Sequence, residues 1–386
     1  MLKFFPAIIK VTLPLWLCYI KSGKHQIMKN IYLNIPELKP GTLPLVLATI
    51  ISTQGSTPRK PGSSALFSSN GLICGTIGGG VLEGRVQEIA KTAANTGESN
   101  IIHFDLNKDI SSREDAICGG QAAILIDAAL GNHQAVFEQI TMLLQKRIPC
   151  VMAAIISMAG GKGAKINRFI LTADGKSNLP EHFREKIQAE ANRLLASSNQ
   201  DDFCKMDIGS RSEEENIIAF LEPLFPPLHL VIAGAGHIGK ALSHLGRLLD
   251  FEVTVIDDRT EFANRQNLPD ADHILVDDIG KAMQEIDKTP DTYIVIVTRG
   301  HNDDANALKQ CIGSRAAYVG MIGSRTKIEK MHKNFVQNGW ADEEQWKTIH
   351  SPIGLDILSQ TVEEIALSIA AEIILEKNRM KDKRQK

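Results

Sequence analysis

The stretch Leu228–Arg259, LHLVIAGAGHIGKALSHLGRLLDFEVTVIDDR, states both a shape and a ligand class. A short apolar run, Leu230 to Ala233, meets Gly234-Ala-Gly-His-Ile-Gly239, and then Ala241, Leu242, Leu245 and Leu248 recur at helical spacing. A second apolar run, Val253 to Ile256, ends at Asp257, about twenty residues past the turn, where a ribose-binding carboxylate belongs in a dinucleotide-binding βαβ unit. Gly234 permits the tight turn, Gly236 lets a pyrophosphate approach the backbone, and Gly239 brings helix close to strand. Free amides at the helix start offer an anion site. The same glycines would also serve a tight strand-to-helix packing with no ligand. His237 reads either as a ligand contact or as a solvent-facing loop residue.

Past Asp257 the alternation continues, with strands at His273 to Val276, Tyr293 to Thr298 and Tyr318 to Ile322 and helical segments between them. The fold class is therefore α/β, with a C-terminal doubly wound, parallel Rossmann-type sheet. Ligands collect at the carboxyl ends of such strands. Two of these ends are polar, Thr298-Arg-Gly-His301-Asn-Asp-Asp304 and Gly320-Met-Ile-Gly-Ser324-Arg325, which makes His301, Ser324 and Arg325 candidate contacts. His301 with Asp303 suits a metal or an oriented water, whereas Asp303 also suits a helix N-cap. Thr361-Val-Glu-Glu364 reads as a capping box for a long helix through Leu375 that covers the sheet.

Pro223-Leu-Phe-Pro-Pro227 marks a boundary, giving a separate α/β domain over 28–227 before the nucleotide-binding domain over 228–376. In the first domain, a strand at Leu45 to Ile51 precedes a turn-rich loop, Ser52 to Gly62, and a hairpin turns at Ser68-Ser-Asn-Gly71. The hairpin runs into Gly78-Gly79-Gly80 at the start of a helix over Val81 to Ala94. Bare amides there make a nest for an anion, or else a tight hairpin exit with no ligand. Cys118-Gly-Gly120 precedes a strand at Ala122 to Ile126. Cys118 is either a small buried hydrophobe or a thiol presented by the glycines around it. Gln134 begins a helix, followed by strands around Val151 to Ser157 and Asn167 to Thr172, a helix from Glu181 to Ser197 and a strand from Asn216 to Leu221.

With 386 residues and 43% hydrophobic content, the chain can build a core in each of two domains. A net charge of −2 without a dominant basic block argues against nucleic acid as the main partner. The six cysteines (18, 74, 118, 150, 204, 311) show neither a CxxC pair nor a His/Cys cluster, so no disulfide framework or zinc site is expected, and a reducing cytoplasm fits. The apolar run Phe4 to Ile20 is interrupted by Pro6, Lys10 and Pro14, which disfavours a membrane anchor and makes residues 1–27 an extension outside the fold. The basic stretch 377–386 reads as a solvated helix end.

Taken in order, Gly55-Ser-Thr-Pro-Arg59, Gly75-Thr-Ile-Gly-Gly-Gly80 with Leu82-Glu83, Cys118-Gly-Gly120, Gly234 to Gly239, Asp257-Asp-Arg259, Gly320 to Arg325 and Pro352-Ile-Gly-Leu-Asp356 before Glu363-Glu-Ile-Ala resemble the XdhC/CoxI family, accessory factors of xanthine dehydrogenase and related molybdenum hydroxylases. The resemblance implies a cytoplasmic, dimeric carrier that binds molybdenum cofactor (molybdopterin), holds it while a cysteine desulfurase supplies the sulfido ligand, and passes it to the client hydroxylase. Under that reading Gly78, Gly79 and Gly80 take the molybdopterin phosphate, Arg59 and Arg85 supply charge, and Cys118 ligates molybdenum or relays sulfur. NAD or a related dinucleotide is the expected second ligand. The residues by themselves leave two alternatives to this chaperone: an NAD-dependent oxidoreductase using an acid such as His301, and a nucleotide-sensing regulatory protein.

Overall fold

The computed structural model describes residues 31–33, 35–36, 44–106, 120–159, 162–197, 202–212 and 215–384. In the N-terminal part, β1 (Leu45–Gly55), β2 (Ser64–Ser68), β3 (Gly71–Gly75), β4 (Asn100–Asp105) and β5 (Gly120–Asp127) form an antiparallel sheet of order β3-β2-β1-β5-β4. Helix α1 (Gly80–Thr96) covers one face, setting Leu82, Val86, Ala90 and Ala93 against Val46, Ala48 and Phe67. Strand β1 runs through residues whose composition reads as loop, because Ser52 to Gly55 pair with Ala123 to Gly120. Ladder pairing outweighs turn propensity there.

After α2 (Gln134–Gln145) a second antiparallel sheet follows, with β6 (Cys150–Ala159), β7 (Lys162–Leu171), β8 (Cys204–Ser212) and β9 (Glu215–Leu224) in the order β7-β6-β9-β8 and α3 (Glu181–Ser197) packed on it. Strand β8 is absent from the sequence reading. Cys204, Met206 and Ile208 do alternate toward the core, but Lys205 and Asp207 between them hide a short edge strand in a polar segment. Arg168 on β7 donates to Asp127 at the end of β5, Nη2 at 2.8 Å and Nε at 3.0 Å, a nearly inaccessible ion pair between the two sheets.

The C-terminal part comprises β10 (His229–Ala233), α4 (His237–Leu248), β11 (Glu252–Asp257), β12 (His273–Val276), α5 (Ile279–Glu285), β13 (Thr292–Ile296), α6 (His301–Lys309), β14 (Tyr318–Met321), α7 (Arg325–Gln337), α8 (Glu343–Lys347) and α9 (Val362–Arg384). Its sheet is parallel, in the order β12-β11-β10-β13-β14, with Leu308, Met331 and Phe335 on one face and Leu242, Ile369 and Ile373 on the other. The expected capping box is present, since Thr361 Oγ1 accepts from the Glu364 amide at 3.2 Å and Glu364 Oε2 from the Thr361 amide at 3.1 Å. The two parts are tied at Arg147, which donates to Glu252 Oε2 at 2.8 Å and to the Pro227 carbonyl at 3.0 Å. Among the described residues no helix is long and apolar enough to cross a membrane.

Candidate functional site

Three separated glycine stretches meet at one end of the first sheet. Gly55, ending β1, is paired with Gly120, opening β5. A Cβ on Gly120 would lie 2.6 Å from the carbonyl oxygens of both Gln54 and Ser56, so only glycine lets the Gly55–Arg59 loop cross there. A Cβ on Gly78 would lie 2.9 Å from Pro58 Cβ, which places the Gly78–Gly80 turn against the same loop. Gly79 and Gly80 take φ of 72° and 62° and face open space. Arg59 is exposed beside this turn, and Arg85 lies on the exposed surface of α1. Cys118 and Gly119 lie outside the described residues.

The nest is not bare. Glu83 reaches back from the first turn of α1, and its Oε2 accepts from the Thr76 hydroxyl at 2.7 Å and from the amides of Ile77 and Gly79 at 3.2 and 3.3 Å. A carboxylate of the chain itself thus occupies the place the sequence reading gives to a phosphate. Glutamate four residues after the Gly79 cap is the signal that reveals it, one position beyond the capping-box acid but still able to reach back to the cap amide. Glu83→Ala leaves three donors without their acceptor and is expected to cost about 1–3 kcal/mol in a urea titration, with a smaller loss for Glu83→Gln. With the carboxylate gone, added inorganic phosphate should raise the variant's melting temperature more than that of the unsubstituted protein.

The second cluster lies at the carboxyl ends of the parallel strands. Strand β10 is flanked by β11 and β13, so the order of strand addition reverses there, opening a crevice above Gly234. Gly234, Gly236, His237, Asp257, His301, Ser324 and Arg325 all lie at this end of the sheet, in the strand ends, turns and helix starts that follow β10, β11, β13 and β14. His237 and His301 are exposed as the first residues of α4 and α6. Ser324 caps α7, accepting from the Lys327 amide at 3.3 Å, and Arg325 is exposed. Helix starts converging on one crevice present amide donors to an anion.

Two expectations change here. Asp257 is 2% exposed, and its oxygens accept from the Ala235 amide (2.8 Å), the Arg259 amide (3.0 Å) and the Arg259 Nε and Nη2 (2.8 and 2.9 Å). Burial alone would raise its pKa, but the bonds from Arg259 and Ala235 outweigh burial and hold it below the ordinary aspartate value. Its carboxylate braces the glycine turn from beneath instead of facing a ribose. The outward acid is Asp258, whose Oδ2 accepts from Arg299 at 3.2 Å across the crevice mouth. Residues that alternate along a strand point to opposite sides, which is why the second aspartate of the pair is the exposed one. The cap of α6 is Gly300, not Asp303, which sits in the first turn. Among the described residues no group of three or more His, Cys, Asp and Glu side chains is placed to hold a metal, so His301 and Asp303 belong to no such cluster. Lys327, which no motif marks, pairs with fully buried Asp304 and so ties the first turns of α6 and α7; Asp304 accepts from Thr298 Oγ1 at 2.5 Å as well.

A Rossmann half with its switch-point loops intact, joined to a two-sheet half whose glycine motifs converge, defines a two-part nucleotide-fold protein. Residues 42–105 match the XdhC and CoxI family and residues 230–373 match the XdhC Rossmann domain, together more than half of the chain. The chain belongs to the XdhC and CoxI family. It is 24% identical over 350 residues to the uncharacterized protein YqeB of Escherichia coli K12, covering 90% of this chain and 46% of that one. It is also 24% identical over 356 residues to a protein of Bacillus subtilis 168 named as a probable xanthine dehydrogenase subunit, covering 92% of this chain and 99% of that one. The chain therefore spans about half the length of the first relative and nearly all of the second. A crystal structure described as a xanthine dehydrogenase from Bacillus halodurans shares the fold, with a TM-score of 0.71 and 23% identity over 90% of this chain and 96% of that one.

Proposed function

We propose that this protein is an accessory factor of a xanthine dehydrogenase-type molybdenum hydroxylase, which holds molybdenum cofactor in its N-terminal part, keeps it accessible to a sulfur-donating cysteine desulfurase, and delivers it to the client as a carrier rather than a catalyst. The observation that carries this reading is the meeting of the Gly55–Arg59 loop, the Gly75–Gly80 turn and Gly120 at one sheet end. The fit of the cofactor's phosphate is better at Arg59 and Lys60 than in the Gly78–Gly80 nest, where Glu83 takes the Gly79 amide and Thr76 Oγ1 the Gly78 amide. Arg59 and Lys60 are exposed, line a cleft of about 430 Å³, and make no ion pair among the described residues. When bound, the cofactor supplies the molybdenum chemistry its client needs; this chain's residues bind it, orient it and shield it. Cys118, within the Cys118-Gly-Gly120 motif, is the proposed soft ligand for molybdenum or sulfur.

A nucleotide-sensing role for the second half is favoured by Gly236, where open space lies above the turn at the switch point. In that role NAD or a related dinucleotide biases cofactor affinity without hydride chemistry.

The test mixes the full chain with molybdenum cofactor released under anaerobic conditions, desalts, and measures molybdenum and pterin fluorescence together. Retention of both near one per chain is expected, falling about tenfold or more in Arg59→Ala, since charge-assisted bonds to phosphate are the strong ones. If neither stays bound to the unsubstituted protein, the carrier reading is wrong.

A further inference from the structure

The cleft of about 430 Å³ between the two parts is lined by Tyr32, Arg59, Lys60, Phe203 and Glu222 from the N-terminal part and by Lys377 of α9. Its size is that of a small-molecule site. Glu222 is 7% exposed on β9, and Tyr32, itself buried, donates its hydroxyl to Glu222 Oε2. Oε1 has no partner among the described residues. Oε1 is not sealed from the cleft that Glu222 lines, so a ligand's donor can reach an acceptor that the protein leaves unused. Phe203 supplies a flat wall, stacked on Phe220 with ring centroids 6.0 Å apart and planes 3° from parallel. Arg59 and Lys60 bring positive charge to the same space.

We propose that this cleft binds a phosphorylated ring carrying a 2-amino-4-oxopyrimidine edge, as in pterins and guanine nucleotides, with Glu222 accepting from the ring's adjacent amino and amide N–H groups, Tyr32 holding the carboxylate, and Arg59 and Lys60 meeting the phosphate. The inference rests on the carrier reading above and deepens it by naming where and how the ring is read. A carboxylate matches two neighbouring N–H donors in one plane, and an adenine edge does not offer that pair. Burial pushes the Glu222 carboxyl up to about 7, against the opposing pull of the Tyr32 hydrogen bond and the Arg168 guanidinium. The groups facing it are Tyr32, Arg168 with Asp127 behind it, and, across the cleft, Arg59, Lys60, Lys377 and the Asp250 carboxylate. Only the ionised carboxylate accepts both N–H groups, so affinity rises as pH goes from 6 to 8.

The experiment titrates the full chain with 6-hydroxymethylpterin monophosphate, its dephosphorylated form, GMP, IMP and AMP, reading pterin fluorescence polarisation or heat. The pterin phosphate and GMP are expected to bind at least tenfold tighter than IMP, which lacks the 2-amino group, or AMP. Glu222→Gln should weaken both by tenfold or more and remove the pH dependence of the dephosphorylated pterin, which carries no phosphate to ionise over this range, whereas Arg59→Ala should weaken the phosphorylated pterin and leave the dephosphorylated one unchanged. The tighter of pterin phosphate and GMP identifies the source of the ring. Equal binding of GMP and IMP, or full affinity in folded Glu222→Gln, overturns the proposal. Should Glu222→Gln fail to fold, Tyr32→Phe and the GMP/IMP comparison decide it. Molybdenum cofactor retained equally by Glu222→Gln and the unsubstituted protein sinks this subsite and leaves the carrier reading standing; Glu222-dependent probe binding with no cofactor retained does the reverse.

Discussion

Gly239→Ala is expected to destabilise the C-terminal part by about 3 kcal/mol or more, the upper end of overpacking costs. The added Cβ would sit 1.9 Å from the Gly234 carbonyl oxygen and 3.0 Å from its carbon. Both atoms are backbone within the turn that joins β10 to α4, so no side-chain rotation relieves the clash. Either α4 lifts off the sheet, pulling Leu242 out of the core beside Val253 and Val295, or the turn opens and the Ala235 amide leaves Asp257. Gly236→Ala is the control. Its Cβ meets nothing within 4 Å and its φ of −68° suits any residue, so the stability loss should stay below about 1 kcal/mol. Urea titration followed by circular dichroism gives both values, and the proposal that a dinucleotide approaches this turn adds that Gly236→Ala loses dinucleotide affinity while keeping its fold.

Arg168→Ala should cost about 3–5 kcal/mol, because it strands a carboxylate that has no access to water. Asp127 and Arg168 are 0% and 2% exposed at their side chains, and the guanidinium gives two of its donors to one carboxylate oxygen. Asp127 Oδ1 keeps the Ala129 amide at 2.9 Å, which alone does not compensate a buried charge. Asp127→Ala is expected to be equally damaging from the other side, since a guanidinium is left buried. The double variant Asp127→Leu with Arg168→Met should recover most of the loss, as apolar replacements of buried pairs commonly do. A double-mutant cycle on chemical denaturation midpoints measures this coupling. A cycle showing additive single effects would mean the pair does not act as a unit.

The Rossmann half was legible because every step of a βαβ unit is local. Strand, turn, helix and second strand follow one another between Leu230 and Asp257, and the observed β10, α4 and β11 fall where the apolar periodicity places them. The hairpin at Ser68 to Gly71, helix α1 and the capping box at Thr361 were readable for the same reason. Strand β8 was not, since an edge strand with charges on its outer face carries too little apolar signal. The extension of β1 to Gly55 depended on a partner strand about seventy residues away in sequence, and ladder pairing of that kind has no local mark.

The same division runs through the sites. Sequence alone determined which residues gather at the switch point, because a parallel sheet with short loops brings the carboxyl ends of its strands together whatever else happens. It also determined the glycine motifs, whose backbone freedom is a property of the residue itself. Only the tertiary structure decided what fills each polar vacancy. Glu83 reaches the nest amides, Asp257 turns beneath the turn it was expected to look out from, and Tyr32 meets Glu222 across 190 residues of chain. A hydrogen bond goes to whichever acceptor packing brings within about 3 Å, and that distance is set by the whole fold, not by the residues on either side of the donor.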